Sequence, residues 1–401
     1  MERIDSLSIR DKIFWALFAF VALSSWSSYI VTNVLGLRSN VYELYFIPLI
    51  IYYRRDIFKT DSGKKLKMKL SHKAFNYIGF VFCCFIVGLI VCGFKEFSGF
   101  SGNLIIEHIM AYRFVIYSAF IICYFSQVNS INLKLLLYIC FFSVLGDFVA
   151  ILTIHSANYA STVNLIALSL IVIIPIVQNH IVISITNVLF AFVVAFRSSY
   201  RISIVVVFVA ILFSLIYSAA IRKKMKSILL LLLAMTAFVY LFQNFDVIVK
   251  AFSDSFGMNY ASYRRISYRL TEALHGGEIG RSEIYLERLQ LCTSEVIPFG
   301  LYRRAVGEYG WYTDTPFVFI LDAFGLIGGI PVLFLAIRKG VKICVLSLKK
   351  NLPCLGILAI MFPIYIVLFI FNGTFLFWTY VSCLSGIVLG YWFNPNVNQI
   401  E

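Results

Sequence analysis

Charge is what this sequence has least of. Asp, Glu, Lys and Arg make up 13% of its 401 residues, about half the roughly 25% of an ordinary soluble domain. With 61% of residues hydrophobic, a soluble globular protein is excluded. Histidine is sparse as well. His72, His108, His155, His180 and His275 stand far apart and offer no metal-ligand spacing, so no metal or other cofactor is expected. Catalytic signatures are missing too: there is no phosphate-cradling Walker loop, no H-E-x-x-H and no G-x-S-x-G. Of nine cysteines only Cys292 falls in the one long polar interval, so that interval holds no internal disulfide. No internal repeat is evident, which sets the chain apart from transporters built of two related halves.

What the chain does have is apolar runs near twenty residues, recurring from end to end. Each is long enough to cross a hydrocarbon core of roughly 30 Å. The class is an all-α polytopic membrane protein. About twelve transmembrane helices are expected, near 12–33, 40–53, 75–93, 105–126, 133–153, 162–178, 180–196, 202–221, 227–243, 315–337, 352–371 and 374–393. The first run is too long for a signal peptide and lacks a cleavage site, so it reads as a retained anchor. Three parts follow: a membrane bundle of about nine helices over 1–243, a large polar loop over 244–314, and three membrane helices over 315–401.

Basic residues orient the chain. The loops at 54–73, 222–226 and 338–350 are rich in Lys and Arg, whereas the alternate short loops hold only Arg38, Lys95, Arg197 and Arg201. Both termini are expected on the cytoplasmic side of the membrane and the large loop on the opposite, extracytoplasmic side. The net charge of +14 lies mostly in the inner loops. It points to the anionic lipid bilayer as a partner rather than to nucleic acid.

Four charges interrupt the expected helices: Glu43, Arg113, Asp147 and Asp322. On this topology each lies within about 12 Å of its helix's outer end, at 1.5 Å per residue. Their common depth suggests a polar cavity open to the outside; structural pairing, as of Arg113 with Asp147, is the alternative. Arg197 and Arg201 flank the outer turn FRSSYR against the positive-inside trend. Guanidinium groups suit phosphate oxygens; contact with lipid headgroups is the plainer reading.

The large loop interleaves arginines with tyrosines, which suits sugar rings or a membrane interface. From Arg281 to Glu295 it can form an amphipathic helix, with Tyr285, Leu289, Cys292 and Val296 at helical spacing. Arg281 and Arg288 share another face, and Pro298 with Gly300 ends the element. Arg281 opens the helix, where an anion is also favoured by the free amides.

In order, FRSSYR (Phe196 to Arg201), GRSEIYLERLQ (Gly280 to Gln290), PFG (Pro298 to Gly300), YTDTPFVFIL (Tyr312 to Leu321) and GLIGG (Gly325 to Gly329) resemble the O-antigen polymerase (Wzy-type) and O-antigen ligase superfamily. The resemblance covers most of the chain by topology and about fifty residues by motif. It implies a GT-C-type (class B) glycosyltransferase fold and a substrate of undecaprenyl-diphosphate-linked oligosaccharide. A chain-length regulator and a flippase are the partners it implies. Arg197 and Arg281 match the arginines that grip the diphosphate in that superfamily; Arg201 and Arg288 are their neighbours. The ligases carry a histidine before the helix that follows the loop. Here Thr313-Asp314-Thr315 stands in that place, which favours polymerase over ligase. A carboxylate could then deprotonate the acceptor hydroxyl: Asp314 first, Glu308 second. Asp314 also reads as an N-cap, since Asp-x-Pro often starts a helix.

Overall fold

Where the residues are described, the apolar runs form helices. The computed structural model describes residues 9–26, 72–95, 102–127, 132–153, 163–198, 201–222, 316–371 and 379–394, with single positions at 34, 236, 240, 244, 247, 250 and 251. Among the described residues there are ten helices and no strand: α1 (Ile9–Ala22), α2 (His72–Lys95), α3 (Gly102–Phe125), α4 (Leu133–Thr153), α5 (Leu165–Gln178), α6 (Ile181–Arg197), α7 (Arg201–Arg222), α8 (Pro316–Lys350), α9 (Pro353–Phe371) and α10 (Thr379–Trp392). The fold is all-α. The helix expected at 40–53 lies outside the described residues, and the one at 227–243 is described only at scattered positions. Among the described residues two helical stretches, Leu133–Thr153 and Ile202–Ala220, are long and apolar enough to cross a membrane.

Packing centres on α5. Every residue from Leu165 to Pro175 is buried, and α4, α6, α7, α9 and α10 all pack against it. At 14 residues it is only about 21 Å long, shorter than a hydrocarbon core. A second, smaller core joins α2, α3 and the start of α8 through Val81, Cys84, Tyr112, Val115, Ala119, Ile320, Ala323 and Phe324.

Several of these helices are interrupted, and at Pro175, Pro363 and Gly325 a neighbouring side chain meets a backbone carbonyl at or beside the break. Pro175 has no N–H to give to the carbonyl of Ile171, four residues back. Asn187 of α6 donates to that carbonyl instead, Nδ2 to O at 2.9 Å. Pro363 strands Ala359 in the same way within α9, and Cys344 Sγ of α8 donates there at 3.6 Å. Helix α8 bends at Gly325, whose φ of 68° and ψ of 177° are open essentially to glycine alone. Beside the bend, the Ala323 carbonyl accepts from the Tyr112 hydroxyl of α3 at 2.6 Å. This is how apolar surroundings tolerate broken helices: no water is at hand, so a side chain must serve.

The bend gives a direct test. Gly325→Ala is expected to cost about 1–3 kcal/mol, because a Cβ does not fit that backbone conformation without strain. The midpoint of thermal unfolding in detergent measures it. A midpoint equal to that of the wild type would mean that the bend is not part of the fold.

Two boundaries differ from those expected. The first helix stops at Ala22, bends at Leu23 and Ser24 and resumes at Ser25, within the run expected to be one helix over 12–33. Helix α8 runs on through 338–350, the stretch expected as a basic inner loop. Charged residues depress hydropathy but do not stop a helix. Asn351 does, at φ 51°, with Pro353 two residues later.

Candidate functional site

Where α1 breaks, α4 supplies the polar groups that hold it. Asp147 is 0% exposed, yet neither carboxylate oxygen is idle. Oδ1 accepts from the backbone amide of Ser25 at 2.6 Å, at the point where the first helix resumes. Oδ2 accepts from the backbone amide of Asn164 at 2.8 Å, at the start of α5. One turn earlier on α4, the Ser143 hydroxyl donates to the Leu23 carbonyl. Ser24 turns back to donate to the Phe20 carbonyl. The helices meet closely here, since a Cβ on Gly146 would stand 2.5 Å from the Phe20 oxygen. Asn164 in turn caps α5, its Oδ1 accepting from Ala167 N at 3.1 Å.

Asp147 is therefore a clamp between two helix starts. A carboxylate suits the place because helix N-termini carry unpaired donors and partial positive charge. Among the described residues its partners are backbone amides.

The basic turn lies at the same end of the bundle. Helices α5 and α6 form an antiparallel hairpin about Asn179, which takes the left-handed conformation at φ 64°; the Asn187–Ile171 bond pairs residues eight on either side of it. Counting outward, Arg197 lies about four residues, or 6 Å, beyond the first residue of α5. That start is where Asp147 binds. Arg197 closes α6 and is half-buried, and Arg201 opens α7. Buried serines tie the turn between them. Ser198 Oγ donates to Ala195 O at 2.8 Å, Ser203 Oγ donates to the same carbonyl at 3.2 Å, and the two hydroxyls stand 3.1 Å apart. The knot fixes the spacing of the two helix ends that carry the arginines.

The other candidate residues divide in two. Arg113 and Asp322 sit in α3 and α8 as the chain neighbours of Tyr112 and Ala323, whose side chain and carbonyl are directly bonded. The backbone thus brings positions 113 and 322 close together; their side chains, like that of Arg201, lie outside the described residues. Glu43, Arg281, Arg288, Glu308 and Asp314 also lie outside them, as does the expected helix from Arg281 to Glu295. No group of three or more His, Cys, Asp or Glu fit to hold a metal occurs among the described residues.

Sequence reasoning did not single out Ser25, Asn164 or Tyr112. Asn164 had a local signal, a capping residue directly before an apolar run. Ser25 and Tyr112 had none, because their partners are 122 and 211 residues away. No family model, curated protein or solved structure matches the chain.

Proposed function

We propose that this chain is a bacterial inner-membrane glycosyltransferase that polymerises oligosaccharide units carried on undecaprenyl diphosphate. It transfers the growing glycan from one lipid carrier to the end sugar of a fresh lipid-linked unit at the periplasmic face. Membrane residence is supported by the two long apolar helices and by outward-facing strips of large side chains. On α6, for example, Ile181, Val182, Ile185 and Leu189 are all more than half exposed, a face that water would not favour.

The observation that carries the reaction is the tied turn from Arg197 to Arg201. The acceptor hydroxyl oxygen bonds to the anomeric carbon of the glycan as that carbon's C–O bond to phosphate breaks, and the bonding electrons leave with the diphosphate as an anion. Guanidinium groups borne on two helix ends that are tied together stabilise that charge as it forms. The acceptor hydroxyl loses its proton to a carboxylate, assigned to Asp314 with Glu308 as the second choice. Arg281 and Arg288 of the loop complete the diphosphate grip on this reading.

One feature favours a second reading, a flippase or exporter of the same lipid-linked unit. Broken helices around buried polar groups, as in α1 and α8, are common in carriers. A lipopolysaccharide gel from a strain lacking the gene separates the readings. Loss of a polymerase leaves core plus one unit, and the wild-type gene restores the ladder. Bare core in the deletion strain would instead indicate flipping, or ligation of the finished chain.

A further inference from the structure

Helix α8 carries its cations where a membrane helix should not have them. The stretch 338–350 folds back along α9 across the turn at Asn351. A Cβ on Gly340 would overlap the Phe362 ring, and Cys344 bonds to Ala359. Helix α9 has no charged residue in its 19 positions. The turn itself is not far out in water, because the Tyr217 hydroxyl of the apolar helix α7 donates to Leu352 O at 3.3 Å. Tyr217 lies inside the apolar stretch Ile202–Ala220. Lys342 and Arg338 are then about 13 Å and 20 Å along α8 from Asn351, at 1.5 Å per residue. Both lie level with apolar helix rather than beyond it.

Arg338, Lys342 and Lys349 are exposed, and no hydrogen bond or ion pair holds Arg338 or Lys342 among the described residues. The same outer surface shows Phe334 at 63%, Ile337 at 56%, Val341 at 47% and Val345 at 46% exposure. Acidic partners are absent from the sequence nearby: between Asp322 and Glu401 there is no Asp or Glu. Bare cations at that depth are costly. A ligand that lowers the cost must be anionic at one end and apolar along its length.

We infer that the outer face of α8 around Arg338 and Lys342 binds an anionic phospholipid, its phosphate on the two cations and its acyl chains along Phe334, Ile337, Val341 and Val345. The inference rests on the membrane reading alone and holds whether or not the chain polymerises glycan. The apolar strip sets it apart from a free-phosphate site, and the positive charge sets it apart from general contact with zwitterionic lipid.

The full-length protein, purified in neutral detergent, is melted with phosphatidylglycerol, phosphatidylcholine or inorganic phosphate added. Phosphatidylglycerol is expected to raise the midpoint saturably, by at least about 3 °C; phosphatidylcholine and phosphate are expected to leave it near its starting value. The double variant R338Q/K342Q should lose the difference between the two lipids. An equal response to both lipids, an equal response to phosphate, or an undiminished preference in the variant overturns the site. A second measurement needs no substitution, so a misfolded variant does not block the test. Native mass spectrometry of the wild type from an equal mixture of the two lipids should retain phosphatidylglycerol in excess, and equal retention overturns the proposal.

Discussion

Asp147→Ala is expected to lower stability by about 2–6 kcal/mol. Two buried backbone amides, Ser25 and Asn164, lose the carboxylate that accepts from them, and each orphaned donor costs about 1–3 kcal/mol. Water cannot readily replace the carboxylate at a position with no exposure. Net stabilities of folded domains are about 5–15 kcal/mol, so the loss takes a large share of the margin. The midpoint of thermal unfolding in detergent reads it. Asp147→Asn should fall between, because the carboxamide oxygen still accepts from one amide while its NH2 meets the other donor to donor.

The pair of variants also separates a clamp from a residue that acts on substrate. If Asp147 serves the fold, activity per folded molecule stays near wild type in the asparagine variant while the midpoint drops. If it lines a cavity and touches substrate, activity falls with little change in midpoint. An alanine variant that melts with the wild type would remove the clamp altogether.

How far the sequence reveals such a site depends on the range of the interaction. Hydropathy located α4 at 133–153 and α9 within a residue of its observed start, since a run of apolar side chains is a local property. It ended α8 too early because Arg338, Lys339 and Lys342 lower hydropathy, although the helix stops only at Asn351 and Pro353. It missed the bend in the first helix, because nothing in the run from Ala22 to Ser25 announces it; the bend depends on Asp147 and Ser143 from another helix. The prolines at 175 and 363 announce a missing donor. That Asn187 and Cys344 would answer them was not legible, because those pairings exist only once the helices pack. For the candidate site the same division holds. The unusual outer arginines stood out by residue type alone, while the serine knot that fixes their spacing did not.

On the proposed function, those arginines carry the second large effect. Arg197→Ala is expected to lower polymerisation roughly 100-fold or more, the size seen when one preorganised donor to a developing anion is removed. In the serine knot Ser198 and Ser203 bond to each other and to Ala195. A role in the reaction alone predicts a stability change of less than about 1 kcal/mol, read from the midpoint of unfolding. Arg197→Lys keeps the charge but loses the flat fork that holds two phosphate oxygens at once, so an intermediate rate is expected. The assay is transfer between purified lipid-linked units, with the lipopolysaccharide ladder at matched membrane levels as its counterpart in cells. A ladder restored in full by the alanine variant would remove Arg197 from the diphosphate site. Loss of rate that merely follows loss of folded protein would assign the arginine to the turn and not to the reaction.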